Sequence, residues 1–295
     1  MQVEDIGKSF TLESLVFISD MTAIATAYTA EGFVIGSDGR KSVAGTPIVG
    51  QPLLHPTDDA QKIFAIASPR LNLSYGISGF VRNQAKSFSM IDECAKLLTL
   101  VANEEPDCYQ CVAEFARRLK LILIDGVRSG LLEPFKEHEN APNQEKRTVS
   151  RIILAGYFGS EACLKRARIS ISRKEDEMLA HEVESTGSTK PGENFATGSD
   201  VVPRLAIDGD ARFAAYAPYL LKAPKTLQAA FEYVKAYIEC CSDSEAASLD
   251  PCCKIIGGRV QIARITPIHG FEWFPGFEAV SARMAKAPIA LDDSV

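Results

Sequence analysis

No apolar run in the sequence approaches the roughly 18–20 residues that a bilayer-spanning helix needs. The best candidate, Leu119 to Ile124, has a lysine inside it. The first residues lack a secretion signal: Glu4 and Asp5 make them acidic, and Leu15 to Ile18 is too short an apolar stretch. A cytoplasmic protein with no membrane partner is the expectation. Basic charge is also scarce. With 32 Lys and Arg against 38 Asp and Glu, the formal charge is −6, which argues against a nucleic-acid surface. The one basic cluster, Lys165, Arg166 and Arg168, reads as one face of a strand. No G-x-S-x-G, phosphate loop or metal-ligand set occurs. The four histidines, His55, His138, His181 and His269, fall in loops or at strand starts, so neither a serine–histidine pair nor a cofactor is expected.

Eight cysteines are many, but their spacing is not that of a disulfide framework. Cys240-Cys241 and Cys252-Cys253 are adjacent pairs, and Cys94, Cys108 and Cys111 fall in helical patterns. Cys108-x-x-Cys111 has zinc-ligand spacing, yet no second C-x-x-C answers it, so reduced, packed thiols are expected. The 295 residues, 46% hydrophobic and 24% charged, suffice for one large α/β domain with a sizeable core.

Alternating apolar residues predict strands at 22–29, 33–37, 61–66 and 71–78. Three- and four-residue spacing of Phe88, Ile91, Cys94, Ala95 and Leu98 predicts a helix over 82–103. Pro106-Asp107 marks the start of a second, 108–128. Residues 131–147, with two prolines and mixed charges, read as a surface excursion. Strands are then expected at 149–158, 162–173 and 178–186, a loop at 187–198, helices near 200–220 and 225–241, and a strand at 259–266. This order, strands, two helices, strands, two helices, strand, is not βαβ alternation. It predicts an α+β fold with two antiparallel sheets between helical layers.

The segment Thr22 to Arg40 carries the chemistry. A threonine opens an alternating strand, Glu31-Gly32 turns it, and the partner strand delivers Asp38 and Arg40. A hairpin of that geometry sets a carboxylate beside the first residue of its first strand. Were Thr22 the mature N-terminus, its hydroxyl, its free amine and Asp38 would converge. An N-terminal threonine carries its own base, because an α-amine titrating near pH 8 can take the hydroxyl proton.

These residues resemble the N-terminal-nucleophile hydrolases, in particular β-type subunits of the 20S proteasome and bacterial proteasome-like peptidases. Thr22, Gly32, Asp38 and Arg40 match in spacing. Gln61-Lys62-Ile63-Phe64 is similar to the family's Lys-Ile-Phe segment, Ile77-Ser78-Gly79 to its oxyanion-hole turn, and Ala196-Thr197-Gly198-Ser199 to its later Gly-Ser turn. The resemblance covers about 22–266 and implies a four-layer αββα sandwich acting on a peptide or protein substrate. It implies Thr22 as nucleophile, Lys62 paired with Asp38 beside it, Gly79 as the oxyanion amide, and Ser199 with an aspartate orienting the amine. Asp243 fits that last place, and Asp250 competes for it. Lys41, Ala60 and Ile77 would line the pocket before the scissile bond; Ile77 and Ala60 make it medium-sized and apolar, Lys41 could favour an acidic group, and apolar residues are the expectation.

The resemblance leaves residues 1–21 as an extension, 22–270 as the hydrolase domain with the 131–147 insertion, and 271–295 as a tail. Methionine, not glycine, precedes Thr22. A start at Met21, trimmed by methionine aminopeptidase, would expose the amine without self-cleavage. A retained extension would instead give a non-catalytic, α-type subunit. A small-molecule amidase is a further alternative, since a fold does not fix a substrate. Apolar residues outside the matched core, Leu131, Leu132, Phe135, Phe271, Trp273 and Phe274, read as exposed and suggest self-association, as in the ring-forming relatives.

Overall fold

The computed structural model describes residues 18–20, 22–40, 58–83, 87–137, 146–184 and 188–280. In chain order its elements begin with β1 (Ile18–Asp20), β2 (Ile24–Thr29), β3 (Gly32–Ser37), β4 (Ile63–Ser68), β5 (Leu71–Asn83) and β6 (Phe88–Ser89). The helices α1 (Met90–Glu104) and α2 (Cys108–Arg128) follow, then β7 (Thr148–Phe158), β8 (Glu161–Ile171), β9 (Leu179–Glu184) and β10 (Asn194–Thr197). The chain ends with α3 (Val201–Ile207), α4 (Ala217–Leu220), α5 (Leu227–Ser242), α6 (Ala246–Leu249), β11 (Gln261–Thr266) and β12 (Gly270–Trp273). Short 3-10 turns cover Ala211–Phe213 and Pro251–Ile255.

Every strand pairing is antiparallel. A seven-stranded sheet runs β1-β5-β7-β8-β9, with β4 and β6 also on β5, and a five-stranded sheet runs β10-β2-β3-β11-β12. Three apolar layers hold them. Leu73, Tyr75 and Ile152 meet Cys94, Leu98, Phe115 and Leu119 of α1 and α2. Ile24, Phe33, Ile35, Ile63, Ile153 and Ile265 fill the space between the sheets. Ala23, Ala25, Ala27 and Val34 meet Val234 and Ile238 of α5. The strict alternation within β2 and β3 sends alternate residues into the last two layers. This is the αββα sandwich that the alternation and helix order predict.

Small residues face α5 because it lies directly on the sheet. A Cβ on Gly36 would stand 2.5 Å from Val234 Cγ1. Side-chain caps start the long helices: Ser89 accepts from Asp92 N–H, Asp107 from Gln110 N–H, and Thr226 from Ala229 N–H.

Several boundaries differ from the expectation. The first helix begins at Met90, not 82, because β5 continues to Asn83 and turns into β6. Phe88 therefore sits in a strand, stacked 5.7 Å from Phe80. The expected 187–198 loop contains β10. Leu132 is buried, Phe135 packs edge-on against Phe80, and Phe231 holds Phe274 and Phe277. Phe271 and Trp273 lie in β12, which pairs with β11. These residues cover the chain's own core rather than forming a bare patch, and the packed domain continues past residue 270.

The thiols also differ. Cys108 and Cys163 form a disulfide with Cα atoms 6.2 Å apart, tying the start of α2 to β8 and ruling out Cys108 as a zinc ligand. Among the described residues no helix is long and apolar enough to cross a membrane, and no cluster is placed to hold a metal ion. Because the bond joins residues 55 apart, its reduction should lower the unfolding free energy by about 2–4 kcal/mol. Urea titration with and without dithiothreitol, alongside non-reducing peptide mapping, checks both the bond and its worth.

Candidate active site

Thr22, Asp38, Lys62 and Ser199 all sit at strand ends on one side of the sandwich: just before β2, just after β3, just before β4 and just beyond β10. The hairpin makes the first approach. Ile24 pairs with Ser37, and beyond that rung Asp38 N–H donates to the Ala23 carbonyl at 3.1 Å while Asp38 Oδ1 accepts from Ala23 N–H at 2.9 Å. The carboxylate is thereby locked one residue from Thr22.

Lys62 completes the pair. Its Nζ lies 3.1 Å from both oxygens of Asp38, and both side chains are buried. Gly257 N–H donates to Asp38 Oδ2 at 3.1 Å, and Arg40 N–H does so at 3.3 Å. Burial pushes the Asp38 carboxyl above its usual range, opposed by the Lys62 charge and the N–H groups of Gly257 and Ala23. A buried pair this well hydrogen-bonded keeps an ammonium in the interior that would be prohibitive alone.

The loop ahead of β11 is a part of this cradle that the sequence analysis did not single out. The Gly257 carbonyl accepts from Gly39 N–H and Arg40 N–H at 3.1 and 2.7 Å. Gly257 adopts φ +149°, and a Cβ there would lie 2.8 Å from the Arg40 Cζ. Arg40 is fixed across it by Asp58 at 2.9 Å and the Ile256 carbonyl at 3.4 Å. The signal available in the sequence was the Gly257-Gly258 doublet itself.

Ser199 reaches the site through β10. Thr197 pairs with Ile24, and Gly198, at φ +137°, passes over Ala23 so closely that a Cβ would be 3.1 Å from the Ala23 Cα. Continuing that register brings Ser199 level with Thr22. The Ser199 hydroxyl donates to Asp250 Oδ2 at 2.7 Å and accepts from Val201 and Val202 N–H. Of the two competing aspartates, the structure thus joins Asp250 to Ser199. Asp243 points elsewhere, accepting from Tyr216 Oη at 2.9 Å and from Glu245 N–H, because it caps the end of α5.

Gly79 has a packing constraint that the sequence did not show. It lies inside β5 at φ +102°, where a Cβ would stand 2.4 Å from the Val149 carbonyl oxygen, so close packing against β7 demands glycine. It does not immediately precede a helix, and no helix dipole starts there. On its other side Gly79 is in register with Asp20 of β1, which places the chain just ahead of Thr22 along this strand. Among the pocket residues, Ile77 is buried in the core facing α1 and α2, and Ala60 is half-buried, bonded through its backbone to Gly39 and Gln261. Lys41 lies outside the described residues.

Thr22 is fully buried, and its Oγ1 has no hydrogen-bond partner among the described residues. A buried hydroxyl left without a partner is a rare and costly arrangement.

No family model matches the chain, and no curated protein matches it. Among solved structures, it is similar to a Gly-1 mutant of Anbu from Hyphomicrobium sp. strain MC1, at a TM-score of 0.42 and 12% identity. That match covers 87% of this chain and 88% of the other. At this identity and score the likeness says nothing of what the chain does.

Removing one partner of the buried pair should be severe. Asp38→Ala is expected to destabilise the fold by about 3–5 kcal/mol, and adding Lys62→Met should recover most of that loss. Urea midpoints of the two single variants and the double variant test this coupling.

Proposed function

We propose that this chain is an N-terminal-nucleophile amide hydrolase of the threonine peptidase type, active once the residues before Thr22 are removed. The observation that carries the reading is the unpartnered, buried Thr22 hydroxyl, one residue before the Ala23 N–H that bonds Asp38 of the buried Asp38–Lys62 pair. In this reading the freed Thr22 amine takes the hydroxyl proton, and Oγ1 attacks the substrate carbonyl carbon. The Lys62 ammonium stabilises the alkoxide, and its charge favours the neutral form of the amine. As the amide C–N bond breaks, the proton passes to the leaving amine, and water then cleaves the Thr22 ester. Ser199 and Asp250 are assigned to hold the amine, and Gly79 to meet the oxyanion.

The pairing of β1 with β5 supports a peptide as substrate. Ile18–Asp20 lies antiparallel along β5, ending opposite Gly79. Removing that segment frees the edge for another extended chain, in the manner of strand addition. A protein treated with an epoxyketone or β-lactone should gain one inhibitor mass, and Thr22→Ala should gain none. An adduct that persists in Thr22→Ala would sink the proposal.

The same strand also favours a second reading. If Ile18–Asp20 is retained in the sheet, the Thr22 nitrogen stays an amide and the chain is a structural subunit. N-terminal sequencing of protein from its native host separates the two: threonine at the first cycle fits the hydrolase, and an earlier residue fits the scaffold.

Assembly into a ring, with itself or related subunits, belongs to the same proposal. Its support lies in the exposed Leu100, Tyr109 and Leu121 on α1 and α2, not in the aromatics near the C-terminus. Light scattering at micromolar concentration should give a multiple of the monomer mass, and the monomer mass at every concentration would refute it.

A further inference from the structure

The end of α5 carries Cys240 and Cys241, and the 3-10 turn Pro251–Ile255 packs against it with Cys252 and Cys253. Cys240, Cys241 and Cys253 are buried in one cluster between α5 and this turn, and the Cys241 and Cys253 thiols act electrostatically on each other. The turn bearing Cys253 is bonded into the site at both ends. Its first residues hang on Asp250, which receives Cys252 N–H on Oδ1, Cys253 N–H on its carbonyl and the Ser199 hydroxyl on Oδ2. Ile256 N–H donates to the Cys253 carbonyl, and the next residue is Gly257, whose N–H holds Asp38.

We propose that Cys253 and Cys241 form an oxidant-sensitive modification site, in which hydrogen peroxide converts the two thiols into a disulfide. The Cys253 thiolate attacks one peroxide oxygen: an S–O bond forms, the O–O bond breaks, and hydroxide leaves to become water with the thiol's proton. The Cys241 sulfur then attacks the Cys253 sulfur. The S–S bond forms, the S–O bond breaks, and the hydroxyl departs with the Cys241 proton as a second water. Two thiols lose two electrons in all, and one peroxide is reduced to two waters.

The surroundings divide the roles. The neighbouring Cys241 thiol holds the Cys253 thiol below its usual range, while burial pushes Cys94, Cys111, Cys240 and Cys241 up. Cys253 keeps slight exposure beside half-buried Cys252, whereas Cys241 is sealed. Cys253 is therefore the attacking thiol and Cys241 the resolving one. Closing the two sulfurs to a bond of about 2 Å draws the turn toward α5. Asp250 and Gly257 move with it, loosening Ser199 on one side and Asp38 on the other. The thiol chemistry stands apart from the proposed activity, and its effect on Thr22 rests on that reading.

The test exposes the full chain to hydrogen peroxide, alkylates the remaining thiols, and digests it unreduced with trypsin and a glutamate-specific protease. Cleavage after Glu239, Glu245 and Lys254 puts Cys241 and Cys253 on separate peptides. Those peptides should be recovered joined through Cys241 and Cys253 after treatment, separate before it, and separate again after dithiothreitol. Thr22→Ala should form the link equally well, so the outcome does not depend on peptidase activity. In Cys241→Ala, Cys253 should advance to the sulfinic acid instead. Acylation of Thr22 by a β-lactone should slow about tenfold or more in the linked wild type, and recover on reduction. Alkylated Cys241 and Cys253 under conditions that oxidise the methionines, or a link through other cysteines, would overturn the proposal.

Discussion

One ion pair organises this protein. Lys62 and Asp38 bring a full positive and a full negative charge into the interior, and each would be prohibitive without the other. The surrounding architecture serves to satisfy that carboxylate. The β2–β3 hairpin offers Ala23 N–H, the loop ahead of β11 offers Gly257 N–H, and Arg40 offers its own. Four donor groups make five hydrogen bonds to two oxygens. The cost of failing to meet them fixes where β2, β3, β4 and β11 must end.

Around this centre the site divides into two halves joined by a short bridge. One half is the Asp38–Lys62 cradle, and the other is Ser199 with Asp250. The turn Pro251–Ile255 and Gly257 connect them, while Tyr237 pins the Ser199 carbonyl from the helical side at 2.9 Å. Thr22 stands where the halves meet. Its unpartnered hydroxyl is the kind of local frustration that folded proteins keep at sites of chemistry and remove elsewhere.

Much of this was legible in the chain. The alternation of β2 and β3, the Pro106-Asp107 start of α2 and the order of elements sufficed for the αββα sandwich, because they reflect local physics. Asp38 and Lys62 were legible because a hairpin and a strand start place them without reference to the rest of the fold. What escaped depended on contacts distant in sequence. Gly79 looked like a turn glycine, but the Val149 carbonyl is its reason. Asp243 and Asp250 both follow α5, and only the packed turn shows that Asp250 meets Ser199. The Cys108–Cys163 bond joins a helix start to a strand, so no spacing rule could find it. The aromatics of β12 looked exposed until β11 supplied a neighbour.

The Gly257 contact has a consequence for the order of events in the life of the chain. Gly257 and Asp38 are 219 residues apart, so the carboxylate is fully held only after the C-terminal strands have joined the hairpin made at the beginning. Pairings so distant form late and slowly. Until then Lys62 lacks the fully bonded anion that holds its ammonium in the interior. A nascent or half-folded chain thus holds every residue of the cradle yet not the cradle itself, and the strands added last complete what the first hairpin began.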